Sequence, residues 1–116
     1  MAVYMIEIFS VPSVPSPAQL VFAQILNYSY TREFLQIKRS DYGCAVIGND
    51  RHIFDVPKSV YLPLFNVIKL GIGIDPVPQL GLVSGSIGYV INNELYYFLI
   101  CVDDSSGFIE IKPVKK

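Results

Sequence analysis

The sequence predicts an α+β fold: a largely antiparallel sheet of six to seven strands, with one or two helices on one face and a three-stranded meander at the C-terminal end. Three observations carry this expectation. Helix signals occur once strongly and once weakly, whereas apolar and β-branched runs of strand length recur along the chain. The runs in the C-terminal third are joined by short turns rich in Asn, Asp and Gly, the chemistry of antiparallel hairpins. The chain has 116 residues, enough for one core, and holds no internal repeat or dividing linker. One domain over residues 1–116 is therefore expected.

The first strand is read over Val3 to Phe9. Only Glu7 interrupts its apolar, β-branched and aromatic residues, which places it centrally in a sheet or buries it on both faces. Pro12, Pro15 and Pro17 follow, and they make residues 11–17 an extended, stiff connector. Ser16 is the N-cap of the first helix, Pro17 takes the first helical position, and Gln19 completes a capping box. Ala18, Val21, Phe22, Ile25 and Leu26 then recur at helical spacing, which predicts a helix over 17–28. Gln19, Ala23, Gln24 and Asn27 fall mainly on its other side, and that face carries no charge.

Three strands come next. Glu33 to Lys38 alternates polar and apolar residues, so one face is partly wet. Cys44 to Ile47 and His52 to Val56 flank Gly48-Asn49-Asp50-Arg51, which reads as a hairpin turn because Gly, Asn and Asp tolerate positive φ. Val60, Leu64, Val67 and Ile68 fit a short helix capped by Ser59 and stopped by Gly71, with Pro63 tolerated only in its first turn. Gly71 to Gln79 reads as a loop. The closing meander is Ser86 to Ile91, Glu94 to Val102 and Phe108 to Lys112, turned at Asn92-Asn93 and at Asp103 to Gly107. Pro113 and the Lys115-Lys116 tail end the sheet.

Composition restricts the function classes. Hydrophobic residues make up 52% of the chain, charged residues 16%, and the formal net charge is -1. Mean hydropathy is +0.43. Intrinsic disorder needs the opposite balance, and a nucleic-acid binder of the usual kind needs a basic surplus. A membrane-spanning helix needs about 20 consecutive apolar residues. The best stretch, Leu80 to Val102, is broken by Ser84, Ser86, Asn92, Asn93 and Glu94. The first residues include no basic n-region, so a cytoplasmic location is expected. Cys44 and Cys101 each lie within an apolar run and read as buried thiols. A bridge between them would need neighbouring strands with Cα atoms within about 7 Å, which the sequence leaves open.

Chemistry-bearing patterns are incomplete. His52 follows a polar turn, and Asp50 or Asp55 could orient it as a general base. In a regular strand, however, His52 and Asp55 fall on opposite faces. Asp50, Arg51 and His52 are the candidate ligand site of a small enzyme or ligand-binding domain. Gly81-Leu82-Val83-Ser84-Gly85 places its Ser one position late for a nucleophile elbow. Gly71-Ile72-Gly73 begins a phosphate-loop pattern that Pro76 breaks. The Asp103 to Gly107 cluster reads as a turn whose side chains bond the local backbone. Arg32, Lys38, Arg39 and Arg51, with Phe34, are the candidate surface for weak nucleic-acid binding, a reading that ten acidic residues disfavour. No ligand set for a metal or cofactor is complete, and none is expected.

What remains is the apolar surplus, which includes 8 Tyr and 7 Phe. Tyr pairs a large apolar area with a polar tip and is enriched at interfaces. Tyr28, Tyr30, Tyr61, Tyr89, Tyr96 and Tyr97 stand at element ends or adjacent on strands, and Tyr96 and Tyr97 cannot both enter one core. The favoured expectation is a non-catalytic interaction or adaptor module that self-associates or docks a protein partner. The outer face of helix 17–28, or a sheet face bearing tyrosines, should then be covered by another chain.

Tyr61 to Ile68, Asp75 to Gln79, Gly88-Tyr89-Val90-Ile91-Asn92 and the apolar strand ending at Asp103 together resemble part of a CheW-type adaptor domain. The resemblance spans about a third of the chain. Asn93 and Glu94 stand where such domains carry an arginine-glycine pair, and 13 residues follow Asp103, too few for the rest of that fold.

Overall fold

A computed structural model describes residues 7–31, 34–74 and 81–114, apart from the side chain of Glu7. The clearest local signal closes as read. The Ser16 hydroxyl accepts the Gln19 amide at 3.3 Å, and the Gln19 side chain accepts the Ser16 amide at 2.9 Å. Helix α1 (Pro17–Thr31) follows, one turn longer than its apolar stripe indicates. Ala23, placed on the polar side by the sequence reading, is buried, because α1 packs against a second helix as well as the sheet.

Strand β1 (Glu7–Phe9) precedes α1. Three strands follow it: β2 (Leu35–Ser40), β3 (Gly43–Gly48) and β4 (Arg51–Pro57). Helix α2 (Lys58–Gly71) then leads into β5 (Leu82–Ile91), β6 (Glu94–Asp103) and β7 (Phe108–Val114). Residues 3–6 of the expected first strand, Glu33, loop residues 75–79 and the Lys115-Lys116 tail lie outside the described residues.

The seven strands form one sheet in the order β1-β5-β6-β7-β2-β3-β4. It is antiparallel except for the β1–β5 pair. Each helix is followed by a three-stranded meander, and the two meanders meet where β7 pairs with β2. That junction leaves β5 and β4 at the ends, and β1 adds alongside β5. The central placement expected for the first strand is thereby corrected: β1 is an edge strand, and Ile8 is exposed. Both tight turns take the left-handed backbone that Asn and Asp allow, with φ of 52° and 62° at Asn49 and Asp50 and of 51° and 66° at Asn92 and Asn93.

Both helices cover the same face. Phe22, Ile25 and Leu26 of α1 and Leu64, Phe65 and Ile68 of α2 bury against alternate residues of the strands, including Leu35, Ile37, Val46, Ile87, Phe98, Ile100, Ile109 and Ile111. Helix α2 corrects two details. Pro57 rather than Ser59 occupies the N-cap, with no side-chain cap bond. Pro63 sits beyond the first turn and removes one helical bond, a loss outweighed by burial of Tyr61, Leu64, Phe65 and Ile68. Near its C-terminal end, Lys69 is 3% exposed and reaches both carboxylate oxygens of Asp104 at 2.9 Å. This buried pair ties α2 to the β6–β7 turn. In the same turn the Asp103 carboxylate accepts the Ser105 amide at 3.1 Å and its hydroxyl at 2.6 Å, as the sequence predicts. No helix among the described residues is long and apolar enough to cross a membrane.

Candidate functional site

The opposite face of the sheet has no second layer among the described residues. Alternation along β6 sends Phe98, Ile100 and Val102 under the helices and Leu95, Tyr97, Leu99 and Cys101 to the other side. The register then fixes the neighbours. Tyr97 pairs with Gly88 on one side and Val114 on the other, and Leu99 pairs with Ser86 and Lys112. Gly88 in turn pairs with Ile8.

Gly88 is the low point of this face. A Cβ placed on it would stand 3.2 Å from Leu95 Cδ1, 3.4 Å from Ile8 Cγ1 and 3.6 Å from Tyr97 Cε1. Three apolar side chains from the two strands that flank β5 therefore converge over one glycine. Around them Ile8, Val90, Leu99 and Val114 remain 39–54% exposed. The result is a contiguous apolar patch on β1, β5, β6 and the end of β7. Toward β4 the same face becomes polar, with Glu110, Lys112, Lys38 and Asp55 on it. Lys112 Nζ lies 5.3 Å from the centre of the Phe34 ring.

The tyrosines divide between the faces. Tyr97 alone of the six singled out lies on the uncovered side. Tyr61 is buried against Phe65, with ring centres 5.2 Å apart. Tyr89 packs on Phe9 at 5.8 Å, and Tyr28 on Phe54 at 6.0 Å. Tyr96 meets Tyr30 at 4.6 Å and donates its hydroxyl to Glu94 at 2.8 Å. Its hydrogen bonds with Tyr30 and Glu94 push the Tyr96 phenol up from its usual range.

His52 and Asp55 are brought together, which corrects the expectation of opposite faces. The β3–β4 register shifts between Val46 and Ile47, so Ile53 is the extra residue of a bulge. His52 then pairs with Ile47 and Asp55 with Ala45, on the same side, and His52 Nε2 stands 2.8 Å from Asp55 Oδ1. Both side chains are exposed, at 54% and 71%. Asp50, Arg51 and His52 line none of three cavities, whose linings include Ile8 and Leu70, Arg39 and Lys58, and Gln24 and Phe54 respectively.

The basic candidates are dispersed. Lys38 and Arg39 are successive residues of β2 and face opposite ways, and Arg51 pairs with Gly48 at the far end of the sheet from the Ser40–Gly43 pair. Arg32 lies outside the described residues. Cys44 faces the helices on β3 and Cys101 the uncovered side on β6, with β7 and β2 between their strands, and both thiols are free. No protein-family model and no curated protein matches the chain, the adaptor family that it resembles in part included.

Proposed function

We propose that this protein is an interaction module that self-associates through the uncovered face of its sheet, the occupant being a second copy of the chain. One observation carries the reading: Ile8, Leu95 and Tyr97 converge over Gly88 within a wider apolar patch that no described element covers. Contiguous apolar exposure of this kind marks interfaces. Two further features favour a copy of the same chain. The polar half of the face carries charges of both signs, Lys38 and Lys112 beside Asp55, Asp103 and Glu110, which a second copy can pair rather than repel. The area also suffices. Seven strands at ~4.8 Å spacing, each about seven residues long at ~3.3 Å per residue, present roughly 780 Å² before side-chain relief, close to the ~800 Å² per partner of a standard interface.

Sedimentation equilibrium over a wide concentration range tests the reading. The wild type should dimerise, and Leu99→Lys should shift it to monomer with unchanged circular dichroism, because Leu99 lies outside the helix-covered core. A wild type that stays monomeric at several hundred micromolar, or a Leu99→Lys variant that dimerises as well as the wild type, rejects this interface.

A further inference from the structure

Two tyrosines meet where the end of α1 reaches the start of β6. The rings of Tyr30 and Tyr96 lie 4.6 Å apart, centre to centre, at 60° to one another. We infer that this pair is an oxidative modification site. A one-electron oxidant of the peroxidase class, fed by hydrogen peroxide, joins the two rings there into an internal dityrosine staple, with Glu94 as proton acceptor. The site is independent of the dimer interface, because Tyr96 shares the helix-covered side of β6 with Phe98 and Ile100.

Three observations converge on it. The first is partnership. The other ring pairs among the described residues are Phe9 with Phe22, Phe9 with Tyr89, Tyr28 with Phe54 and Tyr61 with Phe65. Each includes a phenylalanine, which lacks the hydroxyl that makes a ring easy to oxidise. Tyr30 and Tyr96 are both phenols, already in the contact that carbon–carbon coupling requires.

The second is a proton acceptor. A phenol oxidised at neutral pH must lose its proton with its electron. Tyr96 donates its hydroxyl to Glu94 Oε2 at 2.8 Å, within reach for direct proton transfer, and accepts from Tyr30. The bonds to Tyr30 and Glu94 hold the Tyr96 phenol above its ordinary range, so the proton stays until the electron leaves.

The third is access. Tyr30 is 37% exposed and Glu94 is exposed, so the pair opens to the surface. The two thiols offer no alternative staple within the chain: they face opposite sides of the sheet, with two strands between their own.

The step balances. Tyr96 loses an electron while its proton passes to Glu94 and on to water, and Tyr30 loses an electron and releases its proton to water. The two phenoxyl radicals couple through ring carbons ortho to their oxygens. Each coupled carbon then gives up its hydrogen as a proton, each phenoxyl oxygen takes one up, and both rings are aromatic again. Two electrons and two protons leave in all, and they reduce one hydrogen peroxide to two waters.

Treatment of dilute protein with a haem peroxidase and one equivalent of hydrogen peroxide tests the inference. The expected product is a single chain lighter by two hydrogens, with dityrosine fluorescence, whose digest joins the Tyr30 and Tyr96 peptides. In a mixture of light and isotope-labelled chains, the joined peptides should come from one chain. The staple closes a long loop and should raise the thermal midpoint by roughly 10–20 °C. Tyr30→Phe and Tyr96→Phe should each abolish the link. Tyr42→Phe, which removes a tyrosine 86% exposed, should leave it intact. Glu94→Gln keeps the hydrogen-bonding reach without the proton acceptor and should slow the link about tenfold or more. An unchanged mass, links that run chiefly through Tyr42 or between chains, or a Glu94→Gln variant that is joined as fast as the wild type overturns it.

Discussion

The two faces of this sheet carry similar side chains in different surroundings. On β6, Phe98, Ile100 and Val102 are sealed beneath the helices, while Leu95, Tyr97 and Leu99, interleaved with them, point away from any described element. A strand apolar on both sides normally belongs to a sheet covered on both sides. Here the chain supplies one cover. The same holds at β1, whose Phe9 packs on Phe22 while Ile8 on the reverse stays open. The contrast teaches that the apolar surplus of the composition is spent on a second face, and that stability and association are separable properties of adjacent residues.

The largest expected effect tests that separation directly. Phe98→Ala should destabilise the fold by about 3–5 kcal/mol, the cost of a large cavity in a closed core. Leu99→Ala, one residue along, should cost less than about 1 kcal/mol in urea unfolding of dilute protein. If the two variants lose stability equally at every concentration, the faces are not different and the comparison fails.

The next effect concerns the two ion pairs, one on each face. Lys69 and Asp104 meet with side chains 4% and 9% exposed, beneath α2. Asp104→Ala leaves a buried ammonium without that carboxylate, and a loss of about 3–5 kcal/mol is expected. His52 and Asp55 meet in the open, and Asp55→Ala should change stability by about 0–1 kcal/mol. A double-mutant cycle on each pair measures the difference, and similar coupling energies would break the contrast.

The parts of the fold legible in the sequence are those whose causes are local. The capping box needs only Ser16 and Gln19, three residues apart, and the turns at Asn49-Asp50 and Asn92-Asn93 need only residues that accept positive φ. The unread parts depend on distant partners. Lys69 and Asp104 are 35 positions apart, and nothing beside either announces the other. The bulge that unites His52 and Asp55 is a property of the β3–β4 register, invisible to alternation within one strand. Likewise β1 reads as central because its residues suit burial on both faces, while its edge position follows from how two meanders join. Tyrosine number suggested an interface, but of the six tyrosines singled out only Tyr97 lies on the uncovered face. The better signal was the unbroken apolar run of β6, in which Leu95, Leu99 and Cys101 share a face with Tyr97.

The smallest effect is chemical, and it reports on both faces in one experiment. Burial chiefly, with the Asp55 carboxylate adding to it, pushes the Cys44 thiol from its ordinary value of 9.0 up to about 11. A thiol raised on folding stabilises the fold fully below its unfolded value, and that contribution is lost as the pH rises from about 9 through 11. At pH 8 Cys44 is therefore protonated, buried and unreactive toward a disulfide reagent, because the thiolate is the nucleophile. Cys101, half-buried on the uncovered face between Ser84 and Glu110, should react in the native protein. One thiol per chain should be labelled before denaturation and the second only after it. A second copy seated on this face would also slow Cys101 as protein concentration rises, while leaving Cys44 unchanged. Two thiols reacting at one rate would contradict the assignment of faces. A Cys101 rate independent of concentration, in samples shown to be dimeric, would move the interface off this side of the sheet.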